Sequence, residues 1–254
     1  MSNVQRPRIA IPQPTSQRAD YNQRSYPQYA HAVEASGGEP VEIPLDLPND
    51  ELAKLISHCH GVLLPGSPAD VDPQKYSAPK DPHTNPADPP RDNVDELLIQ
   101  DAYNLHKPIF GICYGLQSLN VWRTGTLVQH IASKVDHQGG KSVPTAHEVN
   151  VAPDSRLAAI IGDRAPVNSS HHQSAETIGD GLRAVATCPD DGIIEAVEGT
   201  DPKHFVVAVQ WHPERGFDQD PMSQKLFRRF IAESNQWLDH KGSENTQPAP
   251  RNAQ

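Results

Sequence analysis

The sequence has few cysteines, no long apolar run and no excess of positive charge, and each shortage argues against a class of protein. Its three cysteines, Cys59, Cys113 and Cys188, are odd in number and show no CxxC spacing. That speaks against a disulfide framework or a cysteine zinc site, and for a reducing cytoplasm. No stretch approaches the roughly 20 apolar residues that a bilayer-spanning helix needs. The opening MSNVQRPRIAIPQP lacks a charged-then-apolar leader pattern. Lys and Arg number 22 against 32 Asp and Glu, a formal net charge of −10. A binder that gains its affinity by neutralising phosphates has the opposite balance, so no nucleic-acid partner is expected. Hydrophobic residues make up only 36% of the 254, but Pro and polar residues gather at the two ends and in one middle stretch, leaving the core segments richer than the average.

What is present is an alternation of short β-type runs with longer helical ones, in one domain over residues 8–238. RPRIAI predicts a first strand, YPQYAHAVEASGG a helix stopped by its two glycines, EPVEIPL a second strand, DELAKLISHC a short helix and GVLLPG a third strand. From Ser67 to Arg91 the chain is dense in Pro, Asp and Asn and reads as a long surface loop. DNVDELLIQDAYNLHK predicts an amphipathic helix, PIFGIC a buried strand and LQSLNVWR a helix ending at Thr124-Gly125. The second half reads as antiparallel: HEVNVA, GLRAVATC, GIIEAVEG and HFVVAVQWHPE are strand-like, and PMSQKLFRRFIAESNQWL predicts a closing helix. Residues 1–7 and 239–254 read as disordered tails. The expected fold is α/β, a mostly parallel central sheet flanked by helices with a smaller antiparallel annex.

Three strand ends carry reactive-looking groups. Gly111-Ile112-Cys113-Tyr114-Gly115 is the thiol form of the nucleophile elbow, in which a sharp strand-to-helix turn pushes the side chain off the sheet. Small flanking residues admit close backbone approach, and the following helix points its N-terminus at the sulfur, an arrangement expected to lower the thiol pKa. His212, in Trp211-His212-Pro213-Glu214, closes another apolar strand and can serve as base, with Glu214 holding the imidazole tautomer. Leu64-Pro65-Gly66-Ser67-Pro68 ends a third strand. A turn there can aim the backbone N–H groups of Gly66 and Ser67 at an oxyanion, together with the N–H of Tyr114. Cys59, between two histidines, and Cys188, beside Pro189, read as packing cysteines. His171-His172 suggests a metal, but no third ligand has recognisable spacing, and no metal or cofactor is expected.

Together the strand-end P-G-x, the G-x-C-x-G elbow and the late W-H-P-E resemble the class I glutamine amidotransferase-like superfamily, over about Arg8 to Leu238. "LLPGSPADVDPQKY", "GLQSLNV", "GTLVQHI" and "VNSSHHQ" are similar to its γ-glutamyl-γ-aminobutyrate hydrolase branch. The resemblance implies a flavodoxin-like fold and a hydrolase that cleaves γ-glutamyl amides through a thioester on Cys113, with His212 as base and then acid and Glu214 as orienter. It implies that Gln117, Ser170, His171 and Gln173 position the glutamyl moiety. The chain departs from the pattern in three places. Ser67 stands where the family has a second glycine, Tyr114 where the branch often has Arg, and Arg123-Thr124 where small residues usually precede GTL. The first bears on the oxyanion turn and the second on which γ-substituent fits. The Ser67–Arg91 loop is expected to wall a leaving-group pocket, with Lys75, Lys80 and Arg91 meeting an acidic amine product. The partner implied is a small γ-glutamyl substrate, with no membrane; a homodimer is compatible with the sequence. Two alternatives stay open: a glutaminase subunit that passes ammonia to a synthetase, and a binding-only relative.

Overall fold

The first half of the chain lays down parallel strands and returns through helices. In the computed structural model, which describes residues 5–140 and 143–244 (side chains to residue 240), the order is β1 (Arg8–Pro12), α1 (Ala19–Ala35), β2 (Glu39–Ile43), α2 (Asn49–Ser57), β3 (Gly61–Leu64), α3 (Pro89–Leu105), β4 (Ile109–Ile112) and α4 (Tyr114–Trp122). The second half adds β5 (Leu127–Val128), β6 (His147–Val151), α5 (Arg156–Ile161), β7 (Arg164–Val167), β8 (Ser174–Ala175), β9 (Leu182–Thr187), β10 (Ile194–Gly199), β11 (Val206–Val209) and α6 (Pro221–Glu244). A single nine-stranded sheet runs β2-β1-β3-β4-β11-β10-β9-β6-β7. It is parallel from β2 to β11 and antiparallel from β11 onward. The expected annex therefore continues the central sheet rather than standing apart from it. β5 and β8 form a separate antiparallel pair.

The apolar runs of the central strands divide between two layers because successive side chains point to opposite faces. Ile9, Ile11, Leu63, Phe110, Ile112, Val207 and Val209 face α1 and α6, where Tyr29, Val33, Phe227 and Phe230 meet them. Ala10, Val62, Leu64, Ile109, Val206 and Ala208 face α2, α3 and α4, against Leu52, Ile56, Val94, Leu98, Leu116 and Leu119. Each large apolar side chain buried in this way contributes about 1.5–3 kcal/mol. A strand covered on both faces thus reads as one unbroken hydrophobic run.

Several boundaries differ from expectation. α1 starts seven residues before Tyr26 and carries Pro27 inside it. Pro27 and Gln23 are both exposed, so the backbone carbonyl freed by the missing N–H faces water. α3 starts at Pro89, with two prolines in its first turn and the Asp88 side chain accepting from Arg91 N. The preceding loop is shorter than predicted and contains a 3-10 turn at Pro73–Tyr76, capped by Asp72. α6 continues to Glu244, so residues 239–244 are helical and not tail. Arg6 donates to Gly38 O and Pro7 O accepts from Glu39 N, which ties down the end of the leading segment. The remaining tail residues, 1–4 and 245–254, lie outside the described residues. Among the described residues, no helix is long and apolar enough to cross a membrane.

Candidate active site

β3, β4 and β11 are neighbours in the sheet, with Leu64 opposite Gly111 and Ile112 opposite Val209. Their carboxyl ends therefore stop at one level. The turns that follow deliver Gly66, Cys113 and His212 to the crevice where ligands collect in open α/β sheets. A methyl group placed on Gly66 would lie 3.0 Å from His212 Cε1 and 3.6 Å from Cys113 Cβ, so the three predicted segments meet.

Cys113 occupies the elbow with φ 54° and ψ −105°, a conformation that a side-chain-bearing residue holds only under constraint. Its N–H donates to Val209 O at 2.8 Å, which locks the turn to β11. The flanking glycines serve close approach. A Cβ on Gly115 would sit 2.2 Å from Leu64 O, and one on Gly111 2.8 Å from Ala208 Cβ. The packing of α4 against β3, and of β4 against β11, thus depends on their absence.

His212 is buried, and its Nδ1–H donates to Glu214 Oε1 at 2.8 Å. Asn168 clasps its backbone from both sides, accepting from His212 N and donating to His212 O, each at 2.9 Å. Nε2 is buried and makes no hydrogen bond among the described residues, which leaves its lone pair for a thiol proton. Burial lowers the His212 pKa, against Glu214, which raises it. Burial acts to raise the Glu214 carboxyl, but His212 and Arg215 outweigh it and hold Glu214 ionised. Arg215, whose Nε lies 3.6 Å from Glu214 Oε1, went unnoticed in the sequence, although it directly follows the W-H-P-E motif.

The expected depression of the thiol pKa is overturned. Burial pushes Cys113 up to about 12, with Arg215 opposing and Glu214 adding to the rise. Both shifts favour the uncharged forms, a thiol at Cys113 and a neutral imidazole at His212. Cys59 and Cys188 are also buried and free, each pushed by burial up to about 11.

At the P-G-S turn, Gly66 N–H donates to the Tyr29 hydroxyl at 3.1 Å. That hydrogen bond engages the N–H expected to face an oxyanion. Ser67 Oγ accepts from Ala69 N at 3.1 Å, an ST turn that shapes the segment. Ser67 and Cys113 both line a cleft of about 230 Å³, with Asp70, Asn85, Gln117, Gln138, Ser170, His171, His172 and Gln173 among the other walls. Gln117 Nε2 donates to Gln173 O and to Gln210 Oε1, and Gln173 Nε2 donates to Gln129 O. The first bond ties the loop at 169–173 to α4, the second ties α4 to the end of β11, and the third ties the loop to the segment after β5.

The cations assigned to the leaving group lie elsewhere. Arg91 is fully buried, paired with Asp95 at 2.7 Å and donating to Pro14 O and Pro65 O, so it braces the P-G-S turn. Lys75 pairs with Glu96 and Asp92, beside a separate cavity of about 570 Å³. Lys80 is exposed and absent from the cleft lining. The Tyr114 side chain is buried away from the cleft, its hydroxyl donating to Asp92 and its ring under the Arg91 guanidinium. It is not among the described residues lining the cleft. In place of these groups the cleft holds Asp70, whose Oδ2 lies 3.0 Å from His172 Nε2 and accepts from Asn85 N. Asp70 lies within the "LLPGSPADVDPQKY" stretch, where nothing local in the sequence marks it for the cleft.

The sequence shows no third ligand with recognisable spacing for His171 and His172, but the fold brings ligand-type side chains to His171. His171 meets His137, His147 and Glu195, all buried, whereas His172 turns to Asp70. His171 lines the cleft, and its ring Nδ1–H donates to Gln173 O while its Nε2 faces Glu195. Burial acts to raise the Glu195 carboxyl, and the surrounding imidazoles, His171 foremost, bring it down to about 2.

The sequence profile of the peptidase C26 family matches residues 8–214. Protein NtpR of Enterococcus hirae is 34% identical over 220 residues, covering 84% of this chain and 91% of that one. The γ-glutamyl-γ-aminobutyrate hydrolase PuuD of Escherichia coli K12 is 34% identical over 216 residues, covering 80% and 84%. Among solved structures, a putative GMP synthase subunit from Thermoplasma acidophilum superposes with a TM-score of 0.67 at 15% identity, covering 94% of this chain and 98% of that one. The last likeness speaks to fold alone.

Proposed function

Because the chain belongs to the peptidase C26 family, of class I glutamine amidotransferase-like hydrolases, we propose that it cleaves γ-glutamyl amide bonds through a covalent thioester on Cys113. His212 Nε2 takes the thiol proton as sulfur attacks the γ-carbonyl. The oxyanion accepts from the backbone N–H groups of Ser67 and Tyr114, and Glu214 stabilises the imidazolium that forms. Collapse transfers the proton from His212 to the departing amine and leaves the γ-glutamyl thioester. Water then attacks with His212 again as base, releasing glutamate and restoring the thiol.

The observation that carries this reading is the buried, unpartnered Nε2 of His212 beside Gly66 and Cys113, with Nδ1 held by Glu214. Buried polar atoms are as a rule hydrogen-bonded, so an orphaned ring nitrogen at the meeting point of three strand ends favours a functional role over packing. Asp70, inside the cleft, is suited to the substrate ammonium group.

Turnover of glutamine, γ-glutamyl-γ-aminobutyrate and other γ-glutamyl amides by the purified chain tests the proposal, with Cys113→Ser as the inactive control. A substituted γ-glutamyl amide is expected to show kcat/KM at least tenfold above glutamine. Preference for glutamine, with acceleration only on adding a synthetase, would transfer the reading to an ammonia donor. Absence of turnover on every amide would leave a binding-only relative.

A further inference from the structure

Four side chains from separate segments converge beside the cleft. They are His137 in the connection after β5, His147 on β6, His171 in the loop before β8 and Glu195 on β10. Their side chains are 2, 2, 1 and 0% exposed. His137 Nδ1, His147 Nε2 and His171 Nε2 stand 3.2, 3.5 and 3.4 Å from Glu195 Oε1. None of the three is aligned as a hydrogen bond. These nitrogens and both Glu195 oxygens are buried and lack a hydrogen-bond partner among the described residues. Orphaned buried atoms are exceptions in folded proteins, and four that converge within 4.8 Å, the three nitrogens and Glu195 Oε1, call for a common partner.

The far side of each ring determines what faces inward. His137 Nε2–H donates to Asp191 Oδ2 at 2.8 Å, His171 Nδ1–H to Gln173 O at 2.9 Å and His147 Nδ1–H to Glu148 O at 3.1 Å. In a neutral imidazole the other nitrogen then carries a lone pair, so three lone pairs point at a carboxylate. Protons alone resolve this only if all three rings become imidazolium. That would place three buried cations within one cluster, opposed by Glu195 and Asp191. A divalent cation accepts all four donors at once. Bonds of about 2.0–2.1 Å to nitrogen and oxygen in a tetrahedron set ligand atoms roughly 3.3–3.4 Å apart. The three nitrogen-to-Oε1 distances fall around that edge. The four ligand atoms all lie within 4.8 Å of one another, so a small inward movement of the rings closes the figure. Carboxylate and carbonyl acceptors behind each ring are the usual outer partners of metal-bound histidine.

We propose that His137, His147, His171 and Glu195 form a closed structural site for a divalent transition ion of zinc type. Three imidazoles and one carboxylate suit such an ion, and full burial leaves no open position for chemistry on it. The ion joins the loop that carries Ser170 and Gln173 to β6 and β10, and so fixes one wall of the cleft. The site is separate from Cys113, and it stands or falls independently of the proposed reaction.

The test uses the full chain carrying Cys113→Ser, so that zinc captured by the cleft thiol does not confuse the count. After chelator treatment, Zn²⁺ addition and exhaustive dialysis, about one zinc per chain is expected by elemental analysis. The melting temperature should rise by at least about 5 °C over the stripped protein. X-ray absorption should show a nitrogen and oxygen shell near 2.0 Å with imidazole scattering and no sulfur. Glu195→Gln and His147→Gln should each lose both the metal and the thermal response. If either variant fails to fold, the absorption spectrum of the Cys113→Ser chain decides. A sulfur shell near 2.3 Å would assign the metal to Cys188 or Cys59 and overturn the proposal. So would retention below a tenth of an equivalent with no thermal shift.

Discussion

Two residues determine how the proposed reaction responds to pH. Burial lowers the His212 pKa below its ordinary 6.5, and Glu214 partly restores it. The base must be neutral to accept the Cys113 proton, and neutral imidazole predominates above its pKa. kcat/KM should therefore stay level from pH 8 down past 6.5, falling only at more acidic pH as His212 gains a proton. Replacing Glu214 by Gln removes the anion that favours imidazolium, so the acid limb should move to still lower pH. The plateau should drop by roughly two to four orders of magnitude, because the imidazolium formed in the transition state loses its carboxylate partner. A pH–rate profile of both proteins on one γ-glutamyl amide checks this. Wild-type activity in Glu214→Gln, or an acid limb moving upward, would mean that Glu214 does not act on His212.

At the scale of single elements, the strand–turn–helix unit of β4 and α4 was the part most legible in the sequence. A buried run ending in G-x-C-x-G leaves few other conformations, and the glycines meet Leu64 O and Ala208 at distances no side chain would tolerate. Gly115→Ala should therefore push α4 from β3. It should destabilise the protein by about 1–3 kcal/mol, as overpacking does, and reduce turnover at least a hundredfold while far-ultraviolet circular dichroism stays native. Chemical denaturation beside kinetics measures both, and unchanged values in each would show that the elbow does not require the close approach. Other elements gave less signal. α5 spans six residues and β5 and β8 two each, too few for a period to show. The cluster of His137, His147, His171 and Glu195 was illegible for another reason. Its members lie on four segments that only the antiparallel order β10-β9-β6 and the loop before β8 bring together. Likewise Arg91 read as a loop cation, because nothing local announced that Asp95, Pro14 and Pro65 would enclose it.

At the scale of the whole molecule, charge separates the substrates. The chain carries a formal net charge of −10, and among the described residues no Lys or Arg lines the cleft. A substrate with two carboxylates and one ammonium, such as γ-glutamyl-γ-aminobutyrate, approaches as a net anion, whereas glutamine approaches as a neutral zwitterion. The protein's field repels the first and leaves the second nearly unaffected. Salt shortens the reach of that field, with a Debye length of about 30 Å at 0.01 M and about 8 Å at 0.15 M. Raising ionic strength between those limits should therefore increase kcat/KM for the net-anionic amide by about two- to fivefold and leave that for glutamine level. The comparison needs only initial rates on two substrates across a salt series, with an inert monovalent salt. A fall in kcat/KM for the anionic amide would mean that a cation outside the described cleft lining attracts it. In that event the leaving-group end would be recognised by charge after all, and by a residue other than Lys75, Lys80 or Arg91.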